Sequence, residues 1–359
     1  HSAVVGATGT GKSTTVVNLL ASLSDSSRYP SARIIVLDIH GEYHAALSDR
    51  ATIFRVNADE TRGERPLFIP YWTLSLDELL NVTPFRGLND ADRAALVEKV
   101  KELKLASLQA QARKGVTADT MTVDTPVPFS IHRLWYELHR YVCSTHNAQG
   151  ANQSPATEAV ENGPDGQPML GDIMGVNPPR YRPITSGGPN RVYLSGAPLN
   201  IRRQIMATES LLRDTRYDFM FRPGPWCPQP TLQDLDAQPA EDIDALLKSW
   251  VGGDKPITIL DLSGVPVSIL MDLVGVLLRL LFDALFWARY LPEGGRTRPL
   301  LFVLEEAHAY LNSGNEGAAA SAARRIVKEG RKYGVGAMIV SQRPSEIDTT
   351  ILSQCGPMF

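Results

Sequence analysis

Eight residues near the amino terminus, Gly6-Ala7-Thr8-Gly9-Thr10-Gly11-Lys12-Ser13, have the types and spacing of a phosphate cradle, GxxxxGK followed by a hydroxyl residue. Its glycines let successive backbone N–H groups turn inward on an anion, and the start of the following helix adds the positive end of its dipole. Lys12 then brings a positive charge to the β/γ oxygens of a nucleoside triphosphate such as ATP, and Ser13 offers a hydroxyl oxygen to Mg2+. Gly6, Thr8, Gly9, Thr10, Gly11, Lys12, Ser13 and Thr14 form the expected nucleotide-binding set. The motif follows an apolar strand pattern and precedes the helical pattern "TTVVNLLASL", which is the context that gives it specificity.

Such a loop needs acidic partners from another strand. The stretch "LLFVLEEAH" offers Glu305 and Glu306 directly after an apolar run. The first is expected to face the water shell of the metal and the second the attacking water; the competing reading is an acidic pair that stabilises the start of the next helix. Gln342 ends the next buried run, as a sensor of the γ-phosphate or as a turn residue. Between them, "ARRIVKEGRKYGV" carries Arg324, Arg325, Lys328, Arg331 and Lys332. That run is either a solvated face or the source of an arginine, Arg331, that reaches a neighbouring subunit's nucleotide.

The elements that must position these residues read as alternating strands and helices. "SAVVG", "ARIIVLDIHGEY", "TIFRV", "KPITILDLSG", "PLLFVLEEAH" and "GVGAMIVSQRP" are short apolar runs separated by helical patterns, the rhythm of a parallel sheet covered on both sides. Ligands of such sheets bind at the carboxyl edge of the strands. "WTLSLDELLNV" has Ser75 three residues before Glu78, a capping-box spacing that predicts a helix start. From about residue 85 the texture turns polar, with Leu96, Val100 and Leu103 at helical spacing. Residues 147–181 are rich in Gly, Pro, Asn, Gln and Asp and are expected to be a flexible excursion. The run 268–290 is apolar but interrupted by Asp272, Arg279 and Asp283 on one helical face, which predicts a core helix and argues against a membrane span.

Composition narrows the class further. The balance of 36 Lys and Arg against 39 Asp and Glu gives a net charge of −3, so no overall basic excess announces a phosphate-backbone partner. The 3 cysteines match no metal spacing and no disulfide framework, which fits a reducing cytoplasm.

Taken in order, "GATGTGKS", "VLDIHGEY", "LFIPYW", "ILDLSG", "LEEAH" and "EGRKYGVGAMIVSQRPSEID" resemble the HerA-type ATPases of the HerA/FtsK superfamily. The resemblance implies a RecA-like P-loop core with a mostly parallel sheet covered by helices, in a first part at 1–84 and a second at 254–359. A largely helical insertion at 85–253 separates them, in which "RDTRYDFMF" resembles a family segment. It further implies a homo-oligomeric, hexameric ring that hydrolyses ATP with Mg2+ between subunits and translocates on double-stranded DNA. The implied effector is a NurA-like nuclease; the alternative, from antiphage relatives, is an ATP-dependent scaffold that assembles and regulates a Sir2-like NAD hydrolase or nuclease-like effector without productive translocation. By position the resemblance assigns Lys12 and Ser13 to nucleotide, Glu306 to catalysis, Gln342 to sensing and Arg331 to a trans finger. Glu305 stands where relatives commonly carry Asp, and its longer carboxylate still reaches a metal-bound water. Asp38, His40 and Glu42 of "DIHGEY" are placed near the active site or subunit boundary, or else in a plain polar turn. The segment 312–317 is a candidate pore loop or a solvated turn. Relatives carry a β-barrel before the loop and more chain after "SQRP", neither of which is expected within these residues.

Overall fold

A computed structural model describes residues 1–7, 11–187, 190–290, 297–312 and 317–356. The chain divides into two compact units, 1–69 with 243–359 and 70–242.

The first unit opens with β1 (Ser2–Val5), α1 (Lys12–Leu23), β2 (Arg33–Asp38), α2 (His44–Leu47), β3 (Ala51–Arg55) and β4 (Arg65–Pro66). The chain then leaves to build the second unit: α3 (Leu76–Val82), α4 (Asp90–Ala110), α5 (Ile131–Cys143), the short strands β5 (Thr145–His146) and β6 (Tyr193–Leu194), α6 (Arg202–Arg213) and α7 (Asp218–Phe221). It returns with α8 (Ile243–Val251), β7 (Ile257–Asp261), α9 (Val267–Trp287), β8 (Leu300–Leu304), α10 (Ala318–Glu329), β9 (Val335–Ser341) and α11 (Thr349–Ser353).

Among the described residues the first unit holds one seven-stranded sheet in the order β1-β9-β8-β2-β7-β3-β4. Its pairings are parallel, with Val36 of β2 set between Ile259 of β7 and Val303 of β8. All residues of β2 and β7 are buried, as expected of strands covered on both faces. On one face Val4, Val36, Ile259, Val303 and Val340 pack with Val16 and Leu20 of α1. The alternate positions Ile35, Leu37, Phe302, Leu304, Ala337 and Ile339 are equally buried, so the period-two pattern finds cover on both sides. This is the RecA-like α/β core, with the phosphate loop leaving β1.

α9 is the core helix expected of residues 268–290. Its interrupting charges are paired at its margin, where Arg325 of α10 lies 2.7 Å from Asp283. α9 and α10 approach so closely at Gly275 that a Cβ there would stand 2.6 Å from the Ala319 backbone nitrogen. Among the described residues no helix is long and apolar enough to cross a membrane.

Three features of the second unit differ from expectation. Its boundaries fall at 69/70 and 242/243, not 84/85 and 253/254. The capping-box helix, where Ser75 and Glu78 do cap each other reciprocally, therefore belongs to it, and α8 does not. From Ser144 to Ile201 its described residues contain short 3₁₀ turns and one two-stranded sheet but no α-helix, so the unit is less helical than composition suggests. Nor is 147–181 a bare excursion. Backbone bridges join Val160 to Tyr181 and Asp172 to Asn177, and Ile173 and Val176 are buried at 1% and 0% exposure. A few well-placed apolar residues and a ladder of turns supply the cohesion that the average composition conceals.

Substitution Gly275→Ala is expected to gain about 1 kcal/mol of helix propensity but to lose about 1–3 kcal/mol through overpacking against a backbone that cannot yield. Urea denaturation should show net destabilisation; an unchanged or higher midpoint would mean that α9 and α10 part more easily than their contact implies.

Candidate nucleotide site

Because the strands are parallel, Gly6, Asp38, Asp261, Glu305 and Gln342, each at or just past a strand's carboxyl end, line one edge of the sheet. Gly6 N–H donates to Ser341 O at 3.3 Å, tying the phosphate loop to the end of β9. Gly11, in the left-handed region at φ 80°, caps α1 and sends Lys12 inward. Lys12 Nζ lies 2.9 Å from Glu306 Oε1, and both side chains are only 6% exposed. Gln342 Nε2 donates to the same oxygen. Thr14 is exposed on the first turn of α1, while Thr8, Gly9 and Thr10 lie outside the described residues.

The two glutamates diverge. Glu306 sits at φ 44° and ψ 44°, a left-handed conformation that costs a non-glycine residue about 1–3 kcal/mol. That turn directs its carboxylate to Lys12, whereas Glu305 Oε2 accepts from the Tyr43 hydroxyl at 2.6 Å. His308 Nδ1 stands 3.1 Å from Glu306 Oε2, a contact that becomes an ion pair only when the imidazole is protonated. Burial pushes the Glu305 carboxyl up to about 7, with the Glu306 and Glu42 charges adding to the rise and Tyr43 and Lys12 opposing it. Burial acts on Glu306 too, but hydrogen bonds from Lys12 and Gln342 outweigh it and hold that carboxyl below its ordinary value.

The turn after β2 belongs to the same edge. The buried Asp38 carboxylate accepts the N–H groups of His40, Gly41 and Tyr43 at 3.3, 2.8 and 3.0 Å. Gly41 is required there: its φ is 73°, and a Cβ would come within 3.2 Å of Asp261 Oδ2 and Ser263 Oγ. The turn places Glu42 so that its Oε2 accepts the Ser13 hydroxyl at 2.9 Å. Of the two readings of "DIHGEY", a plain turn or a part of the site, the geometry favours the second for Asp38 and Glu42.

Arg331 is not part of this cluster. It precedes β9, beside His1, Arg33, Leu300 and Val335 at the amino edge of the sheet. The seven residues of β9 separate it from Gln342, a length of roughly 23 Å at about 3.3 Å per residue. Arg331, Lys332 and Lys328 are exposed. Arg324 and Arg325 are instead paired with Asp348 and Asp283, each at 2.7 Å, so the basic run is not a uniformly solvated face. Of the candidate pore loop, Asn312 bridges to Ile347, and residues 313–316 lie outside the described residues.

Sequence reasoning missed Tyr43, His308 and Asp261. Tyr43 lies 262 positions from Glu305 in the chain, and nothing in local spacing joins them. Asp261 was legible only as a polar strand end; its Oδ2 lies 3.3 Å from Arg55 Nε.

The donor set suits a triphosphate with a hard divalent cation. Lys12 and Ser13 head α1 and face the acidic side chains Glu305, Glu306 and Glu42, while Glu306 Oε2 is buried and accepts no hydrogen bond among the described residues. Among the described residues no three His, Cys, Asp or Glu side chains form a metal site by themselves. Mg2+ is commonly held by one or two protein oxygens plus phosphates and water, which this edge can provide.

A family model described as "Helicase HerA, central domain" matches residues 1–281. The DNA double-strand break repair helicase HerA of Pyrococcus furiosus is 50% identical over 56 residues, 16% of this chain and 10% of that protein. Its namesake from Sulfolobus acidocaldarius is 48% identical over 62 residues, 17% of this chain and 12% of that protein. The chain thus matches no more than 12% of the length of these two curated relatives. Among solved structures, VirB4 of Thermoanaerobacter pseudethanolicus aligns with a TM-score of 0.48 at 14% identity, over 99% of this chain and 73% of that one. The bacterial conjugative coupling protein TrwBdeltaN70 aligns with a TM-score of 0.42 at 15% identity, over 99% and 67%.

The raised Glu305 carboxyl gives a signed pH prediction. Between the unfolded carboxyl value of 4.5 and the folded value of about 7, the unfolded chain binds fewer protons, so this group costs stability as pH rises through that window. Without nucleotide or Mg2+, Glu305→Gln should therefore gain thermal stability over the parent between pH 5 and pH 8, read as a widening difference in Tm. A constant difference across that range would show that Glu305 does not titrate there.

Proposed function

The chain belongs to the family of the HerA helicase central domain, a P-loop ATPase core, and on that premise we propose that it powers a ring-forming motor that hydrolyses ATP and translocates on double-stranded DNA. The observation that carries this reading is the convergence of Lys12 and Gln342 on one buried carboxylate oxygen of Glu306, with Ser13 beside them at the head of α1. Lys12 and the α1 amino terminus bind the ATP phosphates, and Ser13 holds Mg2+ with Glu305 on its water shell. Glu306 orients the attacking water, and Gln342 senses the γ-phosphate. Mg2+ supplies neutralisation of the charge that develops on the phosphoryl oxygens. Arg331, at the far edge of the sheet from its own site, suits a finger offered to the next subunit of a hexameric ring. A nuclease of the NurA kind is the proposed effector, and the free thiols of Cys143, Cys227 and Cys355 suit a cytoplasmic setting.

The net charge of −3 favours a second reading, an ATP-dependent scaffold that regulates a Sir2-like or nuclease-like antiphage effector without moving DNA. Steady-state ATP hydrolysis by the full-length protein, with and without linear duplex DNA, separates the two. The motor predicts severalfold stimulation by DNA; turnover indifferent to DNA favours the scaffold. Lys12→Ala should lower turnover about 10²–10³-fold or more, and turnover that survives it would remove the site assignment.

The trans role of Arg331 has an independent test. Arg331→Ala and Glu306→Ala subunits should each be inactive alone, yet regain partial turnover when mixed, because some hybrid interfaces then carry both groups. No recovery at any mixing ratio would count against Arg331.

A further inference from the structure

A serine hydroxyl has one hydrogen to give and two lone pairs with which to receive, and it ligates a metal through a lone pair. The direction of its hydrogen therefore decides where the oxygen can bind. Helical hydroxyls commonly send that hydrogen back to their own helix's carbonyls. Further along α1, Thr15 Oγ1 donates to Gly11 O at 3.0 Å, and Ser22 Oγ donates to Asn18 O at 2.9 Å. Ser13 is the second residue of α1, so no carbonyl of its own helix lies four residues behind it. Its hydroxyl donates to Glu42 Oε2 at 2.9 Å, a carboxylate 29 residues away on the turn after β2.

We propose that Glu42 is a positioning residue for the divalent cation of the nucleotide site: by taking the Ser13 hydrogen it fixes the rotation of the hydroxyl and presents the oxygen lone pairs to the metal. The inference rests on the nucleotide-site reading above and deepens it. Three observations support it. The Ser13–Glu42 bond consumes only the hydrogen, so it is compatible with metal ligation through the same oxygen. Glu42 is held from both flanks, since Asp38 gathers the N–H groups of Gly41 and Tyr43, and the Tyr43 hydroxyl is anchored on Glu305 at 2.6 Å. Glu305 Oε2 is committed to Tyr43, which leaves Glu42 as the carboxylate bonded to Ser13.

The Glu42 charge has a second consequence. It stands one hydrogen bond from Ser13 at the head of α1, the end of the helix that would face the phosphates. A negative charge there opposes a bare triphosphate and favours one accompanied by a cation. Glu42 thus acts in opposite directions on metal-free and metal-bound nucleotide, a signature that a purely structural side chain lacks.

The test uses the full chain and a fluorescent ATP analogue, titrated in EDTA and again at fixed analogue with Mg2+ as the variable. Glu42→Ala should raise the half-saturating Mg2+ concentration about tenfold, within the range found for residues that orient metal ligands. Glu42→Gln, whose amide oxygen can still accept the hydrogen but carries no charge, should recover part of that loss. In EDTA both variants should bind the analogue as tightly as the parent or more tightly. A half-saturating Mg2+ concentration for Glu42→Ala within twofold of the parent would overturn the proposal, as would an equal loss of affinity with and without the metal. If the parent binds the analogue under neither condition, the nucleotide-site reading fails first.

Discussion

The sheet edge depends on one buried ion pair whose members, Lys12 and Glu306, are 294 positions apart in the chain. Withdrawing two charges from water costs several kcal/mol each, and the cost is offset only where geometry is good and further hydrogen bonds complete the pair. Strand order meets that condition. β9 lies between β1 and β8, which the glutamates follow, so Lys12 meets Glu306 across the end of β9. Two strand spacings are about 10 Å, a gap a short loop can bridge. Gln342 leaves β9 at that crossing and donates to the same carboxylate oxygen, so one strand end both separates and joins the other two.

The same geometry explains the strained backbone at Glu306. Two consecutive glutamates in extended conformation point to opposite faces of a sheet. The left-handed turn at φ 44° breaks that alternation just past the strand, and the two carboxylates reach different partners at the same edge. Tyr43 and Lys12 hold them apart, which lets neighbours in sequence have unlike environments.

Much of this was legible in the sequence because its signals are local. The GKS loop, the apolar strand runs, the Ser75–Glu78 capping box and the core helix with its charged face each announce themselves within a few residues. What was hidden depends on distant pairings. Nothing near Tyr43 reveals that its hydroxyl reaches Glu305, and nothing in the polar 147–181 stretch reveals that Ile173 and Val176 are buried. The unit boundary falls at 69/70 rather than the expected 84/85 for a similar reason: "LFIPYW" is continuously apolar, and composition does not mark the point at which an apolar run stops serving one core and starts serving another.

Environment also divides the labour between the glutamates. Where neighbouring acids are pushed in opposite directions, their proton affinities separate their roles. Glu306, held low by Lys12 and Gln342, stays ionised and can orient water at neutral pH. An ammonium has three hydrogens, so Lys12 can serve a phosphate without releasing Glu306. Glu305, raised to about 7 by burial and by the Glu306 and Glu42 charges, keeps its proton to higher pH than Glu306 does. On the proposed reading, this acidic edge would disfavour a bare triphosphate, and a divalent cation would turn mutual repulsion among phosphates and carboxylates into attraction.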